Sequence, residues 1–343
     1  MNFKKILSKR TFIIAEVSAN HGQNFKRAVA MIKKAKVCGA DAVKFQAFTP
    51  DTITINCKNK YFKIKHPKWG GQTLYELYKR AYTPWSWFKK LKKVADDAGI
   101  VFFVTAFDKT AVDMLEDLKV PIHKIASFEL VDLPLIAYAA CTKKPLMLST
   151  GMATISEIKE AVDTARGAGA KDITLLKCVS SYPARPQDMN LRTISDLKKR
   201  FNCSAGLSDH TKGDIAARAA VSLGAQVIEK HFILSRKMKT PDNFFSIEPG
   251  ELKELVKNIR VIEKTLGKVR FGPIGEERKS CSFRRSLFAV KDIKKGERFT
   301  QDNIKSIRPA NGLKPKYLGS IIGRKAKANI KKGMPLKWGL VVK

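Results

Sequence analysis

Short hydrophobic runs alternate with segments of helical spacing through most of this chain. The runs are rich in Val, Ile, Leu, Phe and Ala, as buried parallel strands are. In the segments between them, apolar residues recur every three to four positions, as at Ala28, Ile32 and Ala35. Eight successive β–α units predict a (β/α)8 TIM barrel of the α/β class. The predicted strands are residues 12–18, 42–47, 101–106, 122–127, 146–150, 173–179, 203–207 and 227–232.

The chain continues beyond the last barrel helix into a region of different composition. Gly272, Pro273 and Gly275 are typical of a linker, and the runs that follow are short and separated by Lys-Lys-Gly turns. The pattern predicts a second, small, β-rich domain. The predicted parts are a barrel domain at 1–270, a linker at 271–282 and the small domain at 283–343.

One connection within the barrel is unusually long. It runs from Thr49 to Thr83, after the second predicted strand. Loops of this length at the catalytic end of a barrel are commonly lids or substrate-binding segments. We expect this loop to serve the site.

The composition adds a strong positive charge, because 66 Lys+Arg face 31 Asp+Glu and leave a net charge of +35. The basic residues are spread along the chain, and no zinc knuckle, helix-turn-helix or aromatic RNA-binding motif accompanies them. We therefore expect no nucleic-acid binding and interpret the charge as a lysine-rich surface that attracts anionic metabolites. A polyanion-binding protein built on an inactive barrel is the alternative that this charge leaves open.

Cysteine usage and hydropathy bear on the compartment. The six cysteines are scattered singly, without a CxxC pair, which is typical of reduced thiols in the cytoplasm. No apolar run approaches the roughly 20 residues that a membrane-spanning helix needs. The sequence therefore predicts a cytoplasmic protein without membrane association.

Polar side chains cluster at the carboxyl ends of the predicted strands, where TIM-barrel enzymes carry their chemistry. Lys44 and Gln46 alternate with Val43 and Phe45, so both polar groups point into the barrel. A polar set of this size predicts an active site at that end. Its other members are Glu16, His21, Thr105, Lys124, Ser127, Glu129, Ser149, Ser180, Tyr182, Ser208, His210, Glu229 and His231.

Two histidines close neighbouring strands. His210 ends the run Ala-Gly-Leu-Ser-Asp-His and His231 ends Gln-Val-Ile-Glu-Lys-His, with one predicted helix between them. Because neighbouring parallel strands end at the same edge, the two imidazoles converge, and imidazole is a common ligand of divalent transition metals. We therefore predict a divalent-metal site on His210 and His231.

Two inward lysines predict an anion site. A lysine inside a barrel is costly without a negative partner, so Lys44 and Lys124 each need one. With the hydroxyls nearby, the simplest partner is a ligand that carries a phosphate and a carboxylate. Ion pairing with Glu16 and Glu129 is the structural alternative. His21 either takes a direct part in the chemistry or orients its neighbours.

These residues carry a resemblance to a known family. The chain resembles the sialic acid synthases, which condense phosphoenolpyruvate (PEP) with a sugar to make nine-carbon nonulosonic acids. Within that family it is most similar to the pseudaminic acid synthases, through NHGQ and the long loop YFKIK…TLYELYKRAYTPWSWF. The tail FRRSLFAVKDIKKGE with IRPANGLKPK resembles the family's antifreeze-like (SAF) domain. The barrel motifs are IIAEVSANHG, GADAVKFQAFTPDT, HKIASFE, LSTGMAT, LLKCVSSYP, GLSDHT and VIEKHF.

The resemblance implies roles for individual residues. His210 and His231 would bind Mn2+ or another divalent cation such as Mg2+ or Co2+. Glu129 and Glu16 are the candidates for proton transfer or water positioning. The resemblance also implies a domain-swapped homodimer, in which Arg308 of one protomer reaches the barrel mouth of its partner. PEP would be held by Lys44, Thr105, Lys124, Ser127, Ser149, Ser180 and Ser208, and the sugar by Gln46, Tyr182, Asp242 and Arg308.

The implied reaction is the metal-dependent condensation of PEP with 2,4-diacetamido-2,4,6-trideoxy-β-L-altropyranose and water, which gives pseudaminic acid and phosphate. An N-acetylneuraminate or legionaminic acid synthase, using another 2-acetamido sugar, is the nearest alternative. A PEP-using aldolase or a sugar-phosphate synthase on the same fold is more distant.

Overall fold

The computed structural model describes residues 3–66 and 68–342. The chain divides into two compact units, Met1–Gly267 and Lys268–Lys343. The first unit is a barrel surrounded by helices, and the second is small and β-rich.

Eight parallel strands close the first unit into a barrel in sequence order, with β1 bonded to both β2 and β8. Their residues are almost all buried, because side chains alternate between the barrel interior and the surrounding helices. The predicted (β/α)8 barrel is thereby confirmed. The strands are β1 Phe12–Glu16, β2 Ala42–Ala47, β3 Val101–Ala106, β4 His123–Ile125, β5 Leu146–Ser149, β6 Ile173–Cys178, β7 Ser204–Asp209 and β8 Val227–His231.

Two strands, β2 and β3, have the predicted bounds, and the others differ at one or both ends. β1 ends at Glu16, because a 3-10 turn begins at Ser18, whose φ is positive. β4 ends at Ile125, two residues before the predicted end at Ser127. Several polar residues predicted inside strands therefore lie on the loops just beyond them, at the open end of the barrel.

Most helices of the first unit cover the outer face of the barrel and bury their apolar stripes against it. Local capping defines where they begin: Asn24 accepts a hydrogen bond from Arg27 N at the start of α2, and Thr154 forms a capping box with Glu157 at α8. The helices are α1 Phe3–Leu7, α2 Phe25–Val37, α3 Pro50–Ile53, α4 Leu74–Ala81, α5 Phe88–Ala98, α6 Lys109–Asp117, α7 Leu133–Cys141, α8 Ile155–Gly167, α9 Thr193–Phe201, α10 Ile215–Ser222 and α11 Pro249–Leu266.

Apolar side chains fill the amino-terminal end of the barrel interior. Phe12, Phe103 and Met147 are buried together there, and Phe3 and Leu7 of α1 pack against them from outside the strands. The polar residues of the interior lie at the opposite end. Among the described residues, the polar part of the barrel interior therefore lies at the carboxyl end, and we expect the binding site there.

The second unit has its own apolar core, which includes Leu287, Phe299 and Leu336. Two of its strands pair antiparallel. Its elements are α12 Glu277–Ser280, β9 Ser286–Ala289, β10 Ile304–Ile307 and α13 Leu318–Ile321. Across the described parts of both units, no helix has the length and apolar character needed to cross a membrane.

A buried ion pair joins β7 to β8 beside the two strand-end histidines. Lys230 Nζ lies 2.8 Å from Asp209 Oδ2, and the two side chains are 1% and 0% exposed. Asp209 Oδ1 also accepts hydrogen bonds from Thr211 N and Oγ1, and Lys230 donates to the Thr211 carbonyl oxygen. Since Asp209 precedes His210 and Lys230 precedes His231, this ion pair holds together the two strand ends that carry the imidazoles.

Removing one partner of this ion pair leaves the other charge buried and unpaired. We expect Lys230→Met to lower the free energy of unfolding by about 3–5 kcal/mol, the usual cost of breaking a buried pair from one side. Asp209→Leu/Lys230→Met, which removes both charges, is expected to recover part of that loss. Urea denaturation measures both variants. Lys93→Met, in an exposed i,i+4 pair on α5, is the control and should leave stability unchanged. A Lys230→Met protein as stable as the parent would contradict the role of the pair.

Candidate active site

Lys44 is the centre of a buried charge network that crosses neighbouring strands. Its Nζ lies 3.1 Å from Glu16 Oε2 on β1 and 3.5 Å from Glu229 Oε1 on β8, and it donates to Thr105 Oγ1 on β3 at 2.8 Å. The strand register explains this meeting, because Glu16 lies opposite Lys44 in the β1–β2 ladder. Ser208 Oγ on β7 donates to Glu229 Oε1 at 2.9 Å. The network thus extends around the barrel from β7 to β3.

Lys124 on β4 is the second lysine that points into the barrel. It donates to Ser149 Oγ at 2.6 Å and to the carbonyl oxygen of Ile125 at 2.7 Å. No carboxylate oxygen of the described residues lies within 4.0 Å of its Nζ. Burial lowers the pKa of Lys124 to about 8. A buried ammonium held only by neutral oxygens favours an anionic ligand.

Gly151 separates two hydroxyls close to Lys124. Its backbone N donates to Ser127 Oγ at 3.1 Å. A Cβ at Gly151 would come within 2.2 Å of Ser180 Oγ and 2.8 Å of Ser127 Oγ, so no side chain fits there. Ser149, two residues earlier, holds the Lys124 ammonium. The backbone and the three hydroxyls together form a small polar cradle of the kind that binds phosphate or carboxylate oxygens.

Two carboxyl groups of this end titrate near neutral pH. Burial raises the pKa of Glu16 to about 7, although Lys44 opposes the shift and Glu229 adds to it. Burial also raises the pKa of Glu129 to about 7, against the effect of Lys124. Glu229 differs, because Lys44 and Lys124 outweigh its burial and hold its pKa below the usual range. Glu229 therefore carries a charge at pH 7, whereas Glu16 and Glu129 can exchange protons.

His210 and His231 lie side by side, with ring centroids 5.3 Å apart and the ring planes inclined by 68°. His210 Nδ1 donates to the Val179 carbonyl oxygen at 2.9 Å, so in the neutral ring the lone pair is on Nε2. His231 Nδ1 is buried without a hydrogen-bond partner among the described residues, and it lies 3.8 Å from Asp242 Oδ2. Burial lowers the pKa of His231 well below its usual range, so this ring is neutral.

This arrangement fits a divalent cation. A neutral imidazole with an unengaged buried nitrogen is a metal-ligand form of histidine. Over residues 3–66 and 68–342, no group of three or more His, Cys, Asp or Glu side chains is arranged to hold a metal ion by itself. The protein would therefore supply two imidazoles, and water or substrate would complete the coordination, as in catalytic sites that keep open positions.

Three of the four residues predicted to contact the sugar belong to the barrel unit and lie around these groups. Gln46 Nε2 donates to Glu16 Oε1 at 2.9 Å, and the Tyr182 ring centroid lies 4.4 Å from that of His210. Asp242 is buried beside His231. The structure thus brings together at one end of the barrel Glu16, Lys44, Gln46, Thr105, Lys124, Ser127, Glu129, Ser149, Ser180, Tyr182, Ser208, His210, His231 and Asp242.

One predicted site residue of the barrel unit, His21, lies outside this group. The His21 ring packs against Trp87 with centroids 5.8 Å apart, in the layer outside the barrel. Its Nδ1 accepts from Gln23 N and its Nε2 bonds to Thr83 Oγ1, both at 3.0 Å. This geometry favours the orienting role of His21 over a direct part in the chemistry. Arg308 lies in the second unit with an exposed side chain.

Glu229 makes more contacts in the site than its position in the sequence indicates. Its carboxylate contacts both Lys44 and Ser208. The signal is present in the run Val-Ile-Glu-Lys-His, because Glu229 and His231 are two residues apart and share the inward face.

Asn20 connects two loops at the open end of the barrel, which its position in the sequence does not indicate. Its Nδ2 donates to the Phe232 carbonyl oxygen and to Ser246 Oγ, and its Oδ1 accepts from Thr240 Oγ1 at 2.7 Å. These bonds tie the turn after β1 to the loop after β8, which carries Asp242. Contacts that join residues more than two hundred positions apart leave no local pattern in the sequence.

Comparison with known proteins places this geometry in a family. The model of the NeuB family matches residues 31–271, and the SAF domain matches residues 284–342. A pseudaminic acid synthase of Campylobacter jejuni is 43% identical over 331 residues, which cover 96% of each chain. An N,N'-diacetyllegionaminic acid synthase of the same species is 38% identical, over 94% of this chain and 98% of that one.

A solved structure agrees with the barrel. The N-acetylneuraminic acid (sialic acid) synthetase of Leptospira borgpetersenii serovar Hardjo-bovis, in complex with citrate, has a TM-score of 0.71 and 35% identity. The match covers 79% of this chain and 90% of that one. The NeuB model alone matches more than half of the sequence. The chain belongs to the NeuB family.

Proposed function

We propose that this chain is a pseudaminic acid synthase, which condenses PEP with 2,4-diacetamido-2,4,6-trideoxy-β-L-altropyranose and water and releases phosphate. The observation that carries the proposal is the juxtaposition of a two-lysine anion site with the His210–His231 pair at one barrel mouth. The identity to the Campylobacter jejuni pseudaminic acid synthase, 43% against 38% for the legionaminic acid synthase, supports the choice of sugar.

In this proposal the lysines bind the two anionic ends of PEP. Although burial opposes it, Glu16 and Glu229 raise the pKa of Lys44, so this ammonium stays charged. Lys124 supplies a second charge beside the Gly151 cradle. Preorganised donors of this kind stabilise charge without reorganising during the reaction. The PEP-binding set is Lys44, Thr105, Lys124, Ser127, Ser149, Ser180 and Ser208.

The open-chain sugar binds with its aldehyde toward the histidine pair, among Gln46, Tyr182 and Asp242. His210 and His231 would hold Mn2+, Mg2+ or Co2+, and a cation there supplies Lewis-acid polarisation of the aldehyde oxygen. A bond forms between C3 of PEP and the aldehyde carbon. Water adds at C2 of PEP, and the C2–O bond to phosphate then breaks to leave the ketone.

In this proposal the buried carboxyl groups of Glu16 and Glu129 accept and donate the protons of the reaction. Glu16 and Glu129, with pKa values of about 7, can each take a proton from the attacking water or give one to the former aldehyde oxygen, which then becomes a hydroxyl. Glu229 stays charged and holds Lys44 and Ser208 in place. The family resemblance further supports a domain-swapped homodimer, with Arg308 of one protomer completing the sugar site of its partner.

Sugar preference tests the proposal. We expect Mn2+-dependent phosphate release from PEP to be fastest with the diacetamido L-altrose sugar, slower with the D-gluco diacetamido sugar of the legionaminic route, and slower again with N-acetylmannosamine. A colorimetric phosphate assay measures all three. Preference for another sugar would overturn the substrate, and no release with any would overturn the function.

Two alanine variants test the proposed roles of His210 in the metal site and of Lys124 in the anion site. His210→Ala and Lys124→Ala are each expected to reduce kcat by about 10²–10³-fold, the usual effect of deleting one preorganised electrostatic group. Circular dichroism verifies that the variants are folded. Lys198→Ala, at an exposed position of α9, is the matched control and should retain full activity. Activity of Lys124→Ala within a few-fold of the parent would contradict the anion site.

The pH dependence follows from Lys124. Its pKa of about 8 means that the ammonium is present below pH 8 and lost as the pH rises through that value. Because kcat/KM reports groups of the unliganded enzyme, we expect kcat/KM for PEP to fall above pH 8. Initial rates over pH 6–10 at saturating sugar measure this profile. A profile flat to pH 10 would contradict the role of Lys124.

A further inference from the structure

The long connection after β2 folds into a short hairpin whose tip carries a tryptophan. Lys63 and Thr73 form an antiparallel bridge, and Ile64 N donates to the Gln72 carbonyl oxygen at 3.0 Å. Nearer the tip, Gly70 N donates to the His66 carbonyl oxygen at 2.7 Å. The hairpin therefore holds residues 68–70 in a defined position rather than leaving them on an extended loop.

Trp69 anchors this hairpin across the barrel mouth. Its indole Nε1 donates to the carbonyl oxygen of Pro241, the residue before Asp242, at 2.9 Å. Its ring lies 5.6 Å from Tyr182 and 6.0 Å from Phe244, measured between centroids. A segment that leaves the barrel at β2 thus docks on the loops after β6 and β8. The connection is long enough to reach these two loops.

The ring contacts form a continuous aromatic wall that leads outward from the histidine pair. Tyr182 lies between the His210 ring, at 4.4 Å, and the Trp69 ring, at 5.6 Å. Phe245 lies 4.7 Å from His231 and 5.0 Å from Phe244. Trp69 is therefore joined to His210 through the ring of Tyr182.

The substituents at the far end of the proposed sugar are suited to an aromatic wall that begins at the histidine pair. With the aldehyde carbon at the histidine pair and PEP on the lysines, the far carbons of the sugar extend away from PEP along the wall. In the proposed substrate these carbons carry an acetamido group at C4 and a methyl group at C6. In N-acetylmannosamine they carry hydroxyls. Aromatic faces favour the methyl-bearing groups and offer nothing to replace the lost hydration of a hydroxyl.

We propose that Trp69 is a specificity-determining residue, which selects sugars with apolar substituents at their far end. The inference rests on the proposed function and adds a residue to it. In the proposed function PEP binds at the lysines, whereas the Trp69 side chain contacts His66, Tyr182, Phe244 and the carbonyl oxygen of Pro241. A purely structural role would change the rates with all sugars alike, whereas a specificity role changes their ratio.

The test compares Trp69→Ala and Trp69→Phe with the parent enzyme. The ratio of kcat/KM for the diacetamido L-altrose sugar to that for N-acetylmannosamine is measured, together with the KM for PEP. One methyl group in an apolar pocket changes selectivity by about 10–200-fold. We expect Trp69→Ala to lower the ratio by about 10–100-fold with the KM for PEP unchanged. Trp69→Phe keeps a ring and should recover most of the ratio.

Tyr61→Ala is the matched control, because Tyr61 is an aromatic residue of the same connection that is 77% exposed. It should leave the ratio unchanged. A parent enzyme that prefers the L-altrose sugar, with the same ratio in Trp69→Ala, would overturn the role of Trp69 and leave the proposed function standing. A parent enzyme that prefers N-acetylmannosamine would overturn both.

Discussion

The site depends on one buried ammonium group, that of Lys44, which is compensated from both sides of the seam where the barrel closes. Glu16 on β1 and Glu229 on β8 reach it from two neighbouring strands, and Thr105 reaches it from β3. A buried charge is tolerated only when it is paired and hydrogen-bonded. The buried charge therefore depends on the closure of the barrel, since its partners meet only when β1 lies between β2 and β8.

This arrangement suits the open end of the barrel to a ligand with two anionic groups. Lys44 already has carboxylate partners, whereas Lys124 is held by neutral oxygens. An incoming anion therefore gains most from Lys124 and from the cradle around Gly151. Burial brings the pKa values of Glu16 and Glu129 to about 7, so proton transfer becomes available at the same end of the barrel as the two lysines. One physical cause, exclusion of water, produces both properties.

The sequence predicts the barrel and most of the polar mouth because both follow from periodicity. The alternation around Lys44 and Gln46 specifies which side chains point inward, and strand order specifies which ends are neighbours. His21 is different: it follows β1 as closely as a site residue would, but the 3-10 turn from Ser18 to His21 rotates its ring into the outer layer. The position of Trp69 depends on a hairpin that docks on distant loops, and no local pattern encodes such a contact.

The central claim is that the barrel mouth condenses PEP with a sugar and breaks the bond between C2 and the phosphate oxygen. PEP labelled with ¹⁸O at that bridging oxygen tests it most directly. The account predicts that mass spectrometry finds the label in the released phosphate, and that release requires the diacetamido sugar. Label retained in the nonulosonic acid, or phosphate released equally without sugar, would contradict the account.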